Sequence, residues 1–138
     1  MADPPFRVLP KVTPQNEHFW KGGAEGTLRF LRCATCRTWV HPPQPVCPAC
    51  LGKDLAPEAV SGRATLATFT VNHHAWIPGQ GEDPYVIAIV EIDEDPRVRL
   101  TTNIVGCDPG QVRIGMPLRV VFEAREDVWI PLFEPAEG

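Results

Sequence analysis

Four of the five cysteines fall in two pairs, Cys33-Ala-Thr-Cys36 and Cys47-Pro-Ala-Cys50, with ten residues between the pairs. A tight turn carrying two thiolates can offer both to one metal ion, with sulfur about 2.3 Å from zinc, and a second such turn completes a tetrahedron. The ten residues between allow a short out-and-back excursion. Trp39 and Val40 can pack on the knuckle, and Pro42, Pro43 and Pro45 stiffen the return. Two disulfides are the alternative. The start, Met1-Ala2-Asp3-Pro4-Pro5, lacks a charged segment followed by an apolar run and does not read as a secretory signal. A reducing, cytoplasmic setting is therefore expected, where structural disulfides are rare. A redox pair would need a βαβ context, and none is visible. Four thiolates leave no coordination position for water, so one structural zinc on Cys33, Cys36, Cys47 and Cys50 is expected, not a catalytic one. Such a site can contribute ~10–16 kcal/mol of apparent binding energy to folding. Cys107 stands alone and reads as a small buried apolar group.

The chain has 138 residues, enough for one domain plus a small appendage. Apolar residues at 43% and charged residues at 22% exclude a disordered or fibrous chain. The 16 prolines disfavour long helices, being more than twice the average use of about 5%. There is no apolar run long enough for a membrane span. Residues 1–60 carry seven Lys/Arg against five Asp/Glu, whereas residues 61–138 carry six against twelve. The acidic second half argues against nucleic acid as a partner, since phosphate neutralisation needs clustered cations.

Residues 1–12 read as an extended, Pro-rich arm. Thr13-Pro14 is a helix start, Phe19 and Trp20 give that short helix an apolar face, and Gly22-Gly23 end it. A helix this short must dock on something to be stable. Residues 28–32 form a strand feeding the first knuckle. Beyond the second knuckle the pattern changes to period two. Five strands are expected, over 64–73, 85–92, 98–105, 118–125 and 128–133. The inward sets are Ala67, Phe69, Val71 and His73; Val86, Ala88, Val90 and Ile92; Val98, Leu100, Thr102 and Ile104; and Leu118, Val120, Phe122 and Ala124. Five strands with a short element over 109–113 between the third and fourth suggest a small barrel, and the OB-fold is the five-stranded barrel of this size. Ile87 and Ile89 make the outer face of the second strand apolar as well, so the N-terminal helix, the ribbon or another protein should cover it.

Candidate chemistry is sparse. Adjacent His73 and His74 point to opposite faces of a strand and cannot share a site without a bulge; His73 reads as a near-core residue. His18 is expected on the helix surface, and His41 lies within the zinc loop. Asp93, Glu94 and Asp95 read as a solvated hairpin turn. No nucleophile elbow, phosphate loop or helical metalloprotease motif is present, and no acid/base pair suggests an active site. Trp76, Tyr85, Trp129 and Phe133 are candidate exposed aromatics of the kind enriched at interfaces. Arg29, Arg32, Arg37, Lys53 and Arg63 lie in or near the ribbon. They could hold phosphate groups of a nucleotide-bearing ligand, or they could neutralise the −2 charge that four thiolates leave on Zn²⁺.

The order Phe19-Trp20, Glu25-Gly26, Cys33-x2-Cys36, Pro42-Pro43, Cys47-Pro48-x-Cys50, Ser61-Gly62-Arg63, Phe69-Thr70, Val90-Glu91 and Gly115-Met116-Pro117-Leu118-Arg119-Val120 resembles the acyl-CoA-associated OB-fold proteins with a zinc ribbon. That family was formerly catalogued as a domain of unknown function. The resemblance runs from about residue 15 to 135. It implies a mainly β chain: an N-terminal arm and helix over 1–26, a rubredoxin-like zinc ribbon over 27–57, and a five-stranded OB barrel with a tail over 58–138. The family commonly has Gly after the second cysteine of each pair, where this chain has Arg37 and Leu51.

Members of that family accompany thiolase-like enzymes and hydratases acting on acyl-CoA thioesters, including aldolase complexes that shorten steroid side chains. The resemblance therefore implies a noncatalytic accessory subunit of a hetero-oligomeric acyl-CoA lyase or thiolase. It would dock through Phe19, Trp20, Trp76, Ile87, Ile89, Trp129 and Phe133 and help position the CoA thioester. The rival readings are a stand-alone acyl-CoA binding module using the arginine cluster and a nucleic-acid binder of the zinc-ribbon/OB type.

Overall fold

In one strand of the barrel, Val98, Leu100, Thr102 and Ile104 are buried, while Arg99 and Thr101 between them face solvent. This alternation is what the period-two pattern requires of a sheet with one wet face. The computed structural model describes residues 7–74 and 83–136. In chain order the elements are α1 (Glu17–Lys21), a 3₁₀ turn (Gly22–Glu25), β1 (Arg29–Cys33), β2 (Trp39–Val40) and β3 (Leu55–Ala59). Then follow β4 (Arg63–Asn72), β5 (Tyr85–Ile92), β6 (Asp95–Ile104), a 3₁₀ turn (Pro109–Gln111), β7 (Pro117–Arg125) and β8 (Val128–Pro135).

Strands β2, β1 and β3 form an antiparallel three-stranded sheet carrying the knuckles. Strands β4, β5, β6, β8 and β7 close into a barrel, with β7 returning to β4. All its pairings are antiparallel except β6 with β8, which meet in parallel at Ile104 and Phe133. The 3₁₀ turn between β6 and β7 is capped by Asp108, whose carboxylate accepts from the Gly110 N–H at 3.2 Å. This is the five-stranded barrel expected from the sequence, with the short element where an OB-fold places it.

Several local expectations are corrected. The helix begins at Glu17, and the chain before it is held by a reciprocal pair: the Thr13 N–H donates to Asn16 Oδ1 at 2.7 Å, and the Asn16 N–H to Thr13 Oγ1 at 3.3 Å. The chain does not stop at Gly22-Gly23 but tightens into a 3₁₀ turn ended by Gly26 at φ 70°. In β4, Leu66 faces Val90 and Thr68 faces Ile89, so Ala67 is an extra residue in a bulge. The bulge reverses side-chain parity. Ala64 and Leu66 are buried before it, Phe69 and Val71 are half-buried after it, Ala67 is not on the inner face, and His73 is exposed. Ala124, expected inside, is exposed at the end of β7.

One hydrophobic core runs through the whole assembly. Phe19 of α1, Leu28 and Phe30 beside the knuckles, and Trp39 of β2 join Leu66, Val90 and Phe133 of the barrel. Helix α1 lies on β8 and β1, and the following 3₁₀ turn lies on β7 and β8. The helix too short to stand alone therefore finds its cover within its own chain.

Candidate metal centre and the surfaces around it

The loop after β1 and the loop before β3 bring the sulfurs of Cys33, Cys36, Cys47 and Cys50 within 4.8 Å of one another. Cys33 and Cys50 Sγ are 3.6 Å apart, as are Cys36 and Cys47. Sulfurs about 2.3 Å from a tetrahedral zinc have edges of about 3.8 Å, so this donor set fits the ion.

The two turns repeat each other. The N–H of Arg37 donates to the Cys33 carbonyl at 2.9 Å, and the N–H of Leu51 to the Cys47 carbonyl at 2.9 Å. Both turn residues adopt left-handed backbone, Arg37 at φ 65° and Leu51 at φ 63°. This is the region in which glycine is free and other residues pay about 1–2 kcal/mol. The turn geometry is thus kept without the glycines that the family commonly has there.

The local electrostatics favour thiolates at Cys33 and Cys36. The backbone N–H of Cys36 leads the interactions that hold the Cys33 thiol below its usual range, with Thr35 assisting. The Thr38 hydroxyl, 3.1 Å from Cys36 Sγ, and the Thr38 N–H pull Cys36 down to about 6. At Cys50 the Gly52 N–H lowers the pKa, but the three neighbouring sulfurs outweigh it and push it up to about 12. Four sulfurs this close do not all ionise by themselves, and a divalent cation supplies the missing charge.

The basic residues near the ribbon have internal roles. Arg32 and Arg37 converge on Glu58, at 2.7 and 3.0 Å, and hold its carboxyl below the usual range. The Arg32 guanidinium also lies 4.4 Å from the Trp39 ring centre, and its Nε–H donates to the Arg37 carbonyl at 2.9 Å. Arg29 pairs with Glu25 at 3.1 Å. Lys53 and Arg63 are exposed. The carboxylate shared by Arg32 and Arg37 is delivered by β1–β3 pairing, which sets Glu58 opposite Phe30 and which linear sequence does not reveal.

The aromatic candidates divide. Phe19 is 4% exposed and Phe133 0%, so both are consumed by the chain's own core and neither offers a docking surface. Trp20, Ile87, Ile89 and Trp129 are half-buried. Ile87 shares a cavity of about 200 Å³ with Phe19 and Trp20, where β6 and β8 diverge. The outer face of β5 at Ile87 thus opens on the same cavity as α1. Trp76 lies outside the described residues. His18 is half-buried beside His41, not on the surface, and its Nε2 and the Nδ1 of His41 are buried without hydrogen-bond partners among the described residues. The His41 ring packs on Phe19 and Phe30 at 5.0 and 4.7 Å, and burial, reinforced by His18, lowers its pKa to about 4.

A four-cysteine ribbon sharing its core with a five-stranded barrel defines a zinc-ribbon/OB-fold protein whose zinc is structural. Comparison with known families agrees: residues 20–56 match the ChsH2 rubredoxin-like zinc ribbon domain, and residues 57–123 the ChsH2 C-terminal OB-fold domain. The chain belongs to the DUF35 family, in its ChsH2 branch. It is similar to a solved chain described as "Ltp2-ChsH2(DUF35) aldolase", with TM-score 0.82 and 35% identity, covering 94% of this chain and 100% of that one. It is also 36% identical over 132 residues to a probable enoyl-CoA hydratase alpha subunit of Thermomonospora curvata. A third relative is the 3-oxo-4,17-pregnadiene-20-carboxyl-CoA hydratase alpha subunit of Mycobacterium tuberculosis, 33% identical over 135 residues. These alignments use 95% and 98% of this chain but only 40% and 42% of the two hydratase subunits, so the chain spans about two fifths of their length. Among the described residues no helix is long and apolar enough to cross a membrane.

Proposed function

We propose that this chain is a noncatalytic, zinc-stabilised subunit or domain that docks on a thiolase-like enzyme acting on acyl-CoA thioesters, in lipid or steroid side-chain breakdown. The observation that carries the reading is the end-to-end match to the DUF35 chain of the Ltp2-ChsH2 aldolase. The hydratase relatives, one of them acting on a steroid carboxyl-CoA by its name, support the substrate class. The docking surface includes Trp20, Ile87, Ile89 and Trp129, half-buried apolar side chains that the chain's own core leaves partly uncovered. Its role toward CoA is indirect. Of the five candidate phosphate contacts, Arg29, Arg32 and Arg37 already hold carboxylates, which a phosphate would have to displace.

Co-expression with a thiolase-like enzyme, followed by size-exclusion chromatography and assay of retro-aldol and thiolytic activity, tests this. Co-elution, with partner activity dependent on this chain, is expected. A chain that never co-elutes, alongside a partner equally active alone, overturns the reading. Tight acyl-CoA binding by the isolated chain in calorimetry would instead favour a stand-alone binding module.

A further inference from the structure

Arg125, near the end of β7, has a side chain only 15% exposed. Its Nε and Nη2 are buried and have no hydrogen-bond partner among the described residues. Glu123 Oε2 lies 3.2 Å from Arg125 Nε, close enough for an ion pair but not aligned for a hydrogen bond. That same oxygen accepts from Nε of Arg7, which also donates through Nη1 to Asn103 Oδ1 at 3.0 Å. Two guanidinium groups thus share one carboxylate oxygen in a part-buried place. Buried charges are normally paired, and an unmatched guanidinium there calls for an explanation. Beside the two arginines is a crevice of about 440 Å³, lined by Arg7, Val8, Leu9, Arg125 and Glu126.

We propose that this crevice between Arg7 and Arg125 binds a single carboxylate group of a ligand or peptide. A carboxylate matches the planar guanidinium fork with two parallel hydrogen bonds. With Glu123 shared by both guanidinium groups and Glu126 on the lining, what the crevice lacks is a hydrogen-bond acceptor for Arg125, which one carboxylate group supplies. Glu126 on the lining opposes a phosphate dianion, and Val8 and Leu9 give the carboxylate's aliphatic neighbour an apolar wall. The site involves none of the ribbon cations and is independent of the docking reading above.

The test uses the full zinc-loaded chain. Sodium acetate and sodium propionate are titrated at constant ionic strength against chloride and against inorganic phosphate, while the Nε–H resonances of Arg7 and Arg125 are followed by NMR. A saturable shift with both carboxylates, stronger for propionate, is expected. Arg125→Gln should weaken it about tenfold or more, the loss of one charge-assisted hydrogen bond. Arg119→Gln, whose guanidinium pairs with Glu134, should leave it unchanged. Should Arg125→Gln fail to fold, Arg7→Gln and the wild-type titration decide alone. A linear drift that chloride reproduces, or a tighter response to phosphate than to acetate, overturns the proposal.

Discussion

A Cβ placed on Gly23 would lie 2.3 Å from the Cβ of Trp129 and 2.6 Å from Cδ1 of Phe122. The 3₁₀ turn therefore sits flush on β7 and β8 only because residue 23 has no side chain. Gly23→Ala forces the turn away from the barrel and should cost about 1–3 kcal/mol, the usual penalty for overpacking. Denaturant unfolding followed by tryptophan fluorescence measures it. An unchanged midpoint would mean that the turn moves freely.

One zinc per chain is expected in reductively purified protein, and Cys36→Ser or Cys47→Ser should each release most of it. Because a structural zinc supplies ~10–16 kcal/mol of apparent binding energy, chelation should unfold the ribbon and expose the shared core at Phe30 and Trp39. Metal analysis and near-UV circular dichroism check this. Zinc-free protein with an intact near-UV spectrum would contradict it.

The two left-handed knuckle residues should respond differently to glycine. Leu51 is 74% exposed, so Leu51→Gly relieves the backbone and removes little contact, raising stability by up to about 1 kcal/mol. Arg37→Gly relieves the same strain but loses the ion pair to Glu58, so its gain should be smaller or absent. Thermal melts of the zinc-loaded variants separate the two.

His41 makes folding sensitive to acid. Its pKa falls from 6.5 to about 4 on folding, so the unfolded chain binds more protons between those values. The stabilisation is present above about pH 6.5 and is lost as pH falls toward 4, amounting to at most about 3 kcal/mol. Half-buried His18, lowered by burial and by Arg29, adds in the same direction. His41→Phe should flatten the stability–pH curve in that window. A curve parallel to wild type would discount the buried imidazole.

Barrel closure rests partly on Thr102, whose buried hydroxyl donates to the Pro131 carbonyl at 2.8 Å across the parallel β6–β8 seam. Thr102→Val keeps the shape but leaves that carbonyl without its donor, at a cost of about 1–3 kcal/mol. Amide exchange on β6 and β8 should accelerate more than on β5.

The metal ligands were legible because each thiolate pair lies within one turn, so spacing alone brings its sulfurs together. The strands were legible where register is constant, as in β5 and β6. A period-two reading failed in β4, where the bulge at Ala67 moved Leu66 into the core and left His73 outside it. Strand β3, reading Leu-Ala-Pro-Glu-Ala, carries no alternation of its own and exists because β1 offers it an edge.

By itself the sequence determined what is local: the cysteine knuckles, the alternating strands of constant register and thus the zinc-ribbon/barrel class. Only the tertiary structure decided that Phe19 and Phe133 are buried, that Glu58 occupies Arg32 and Arg37, and that Arg7 and Arg125 crowd one carboxylate. Burial and charge pairing depend on which distant segments meet, and the position of a residue along the chain does not encode that.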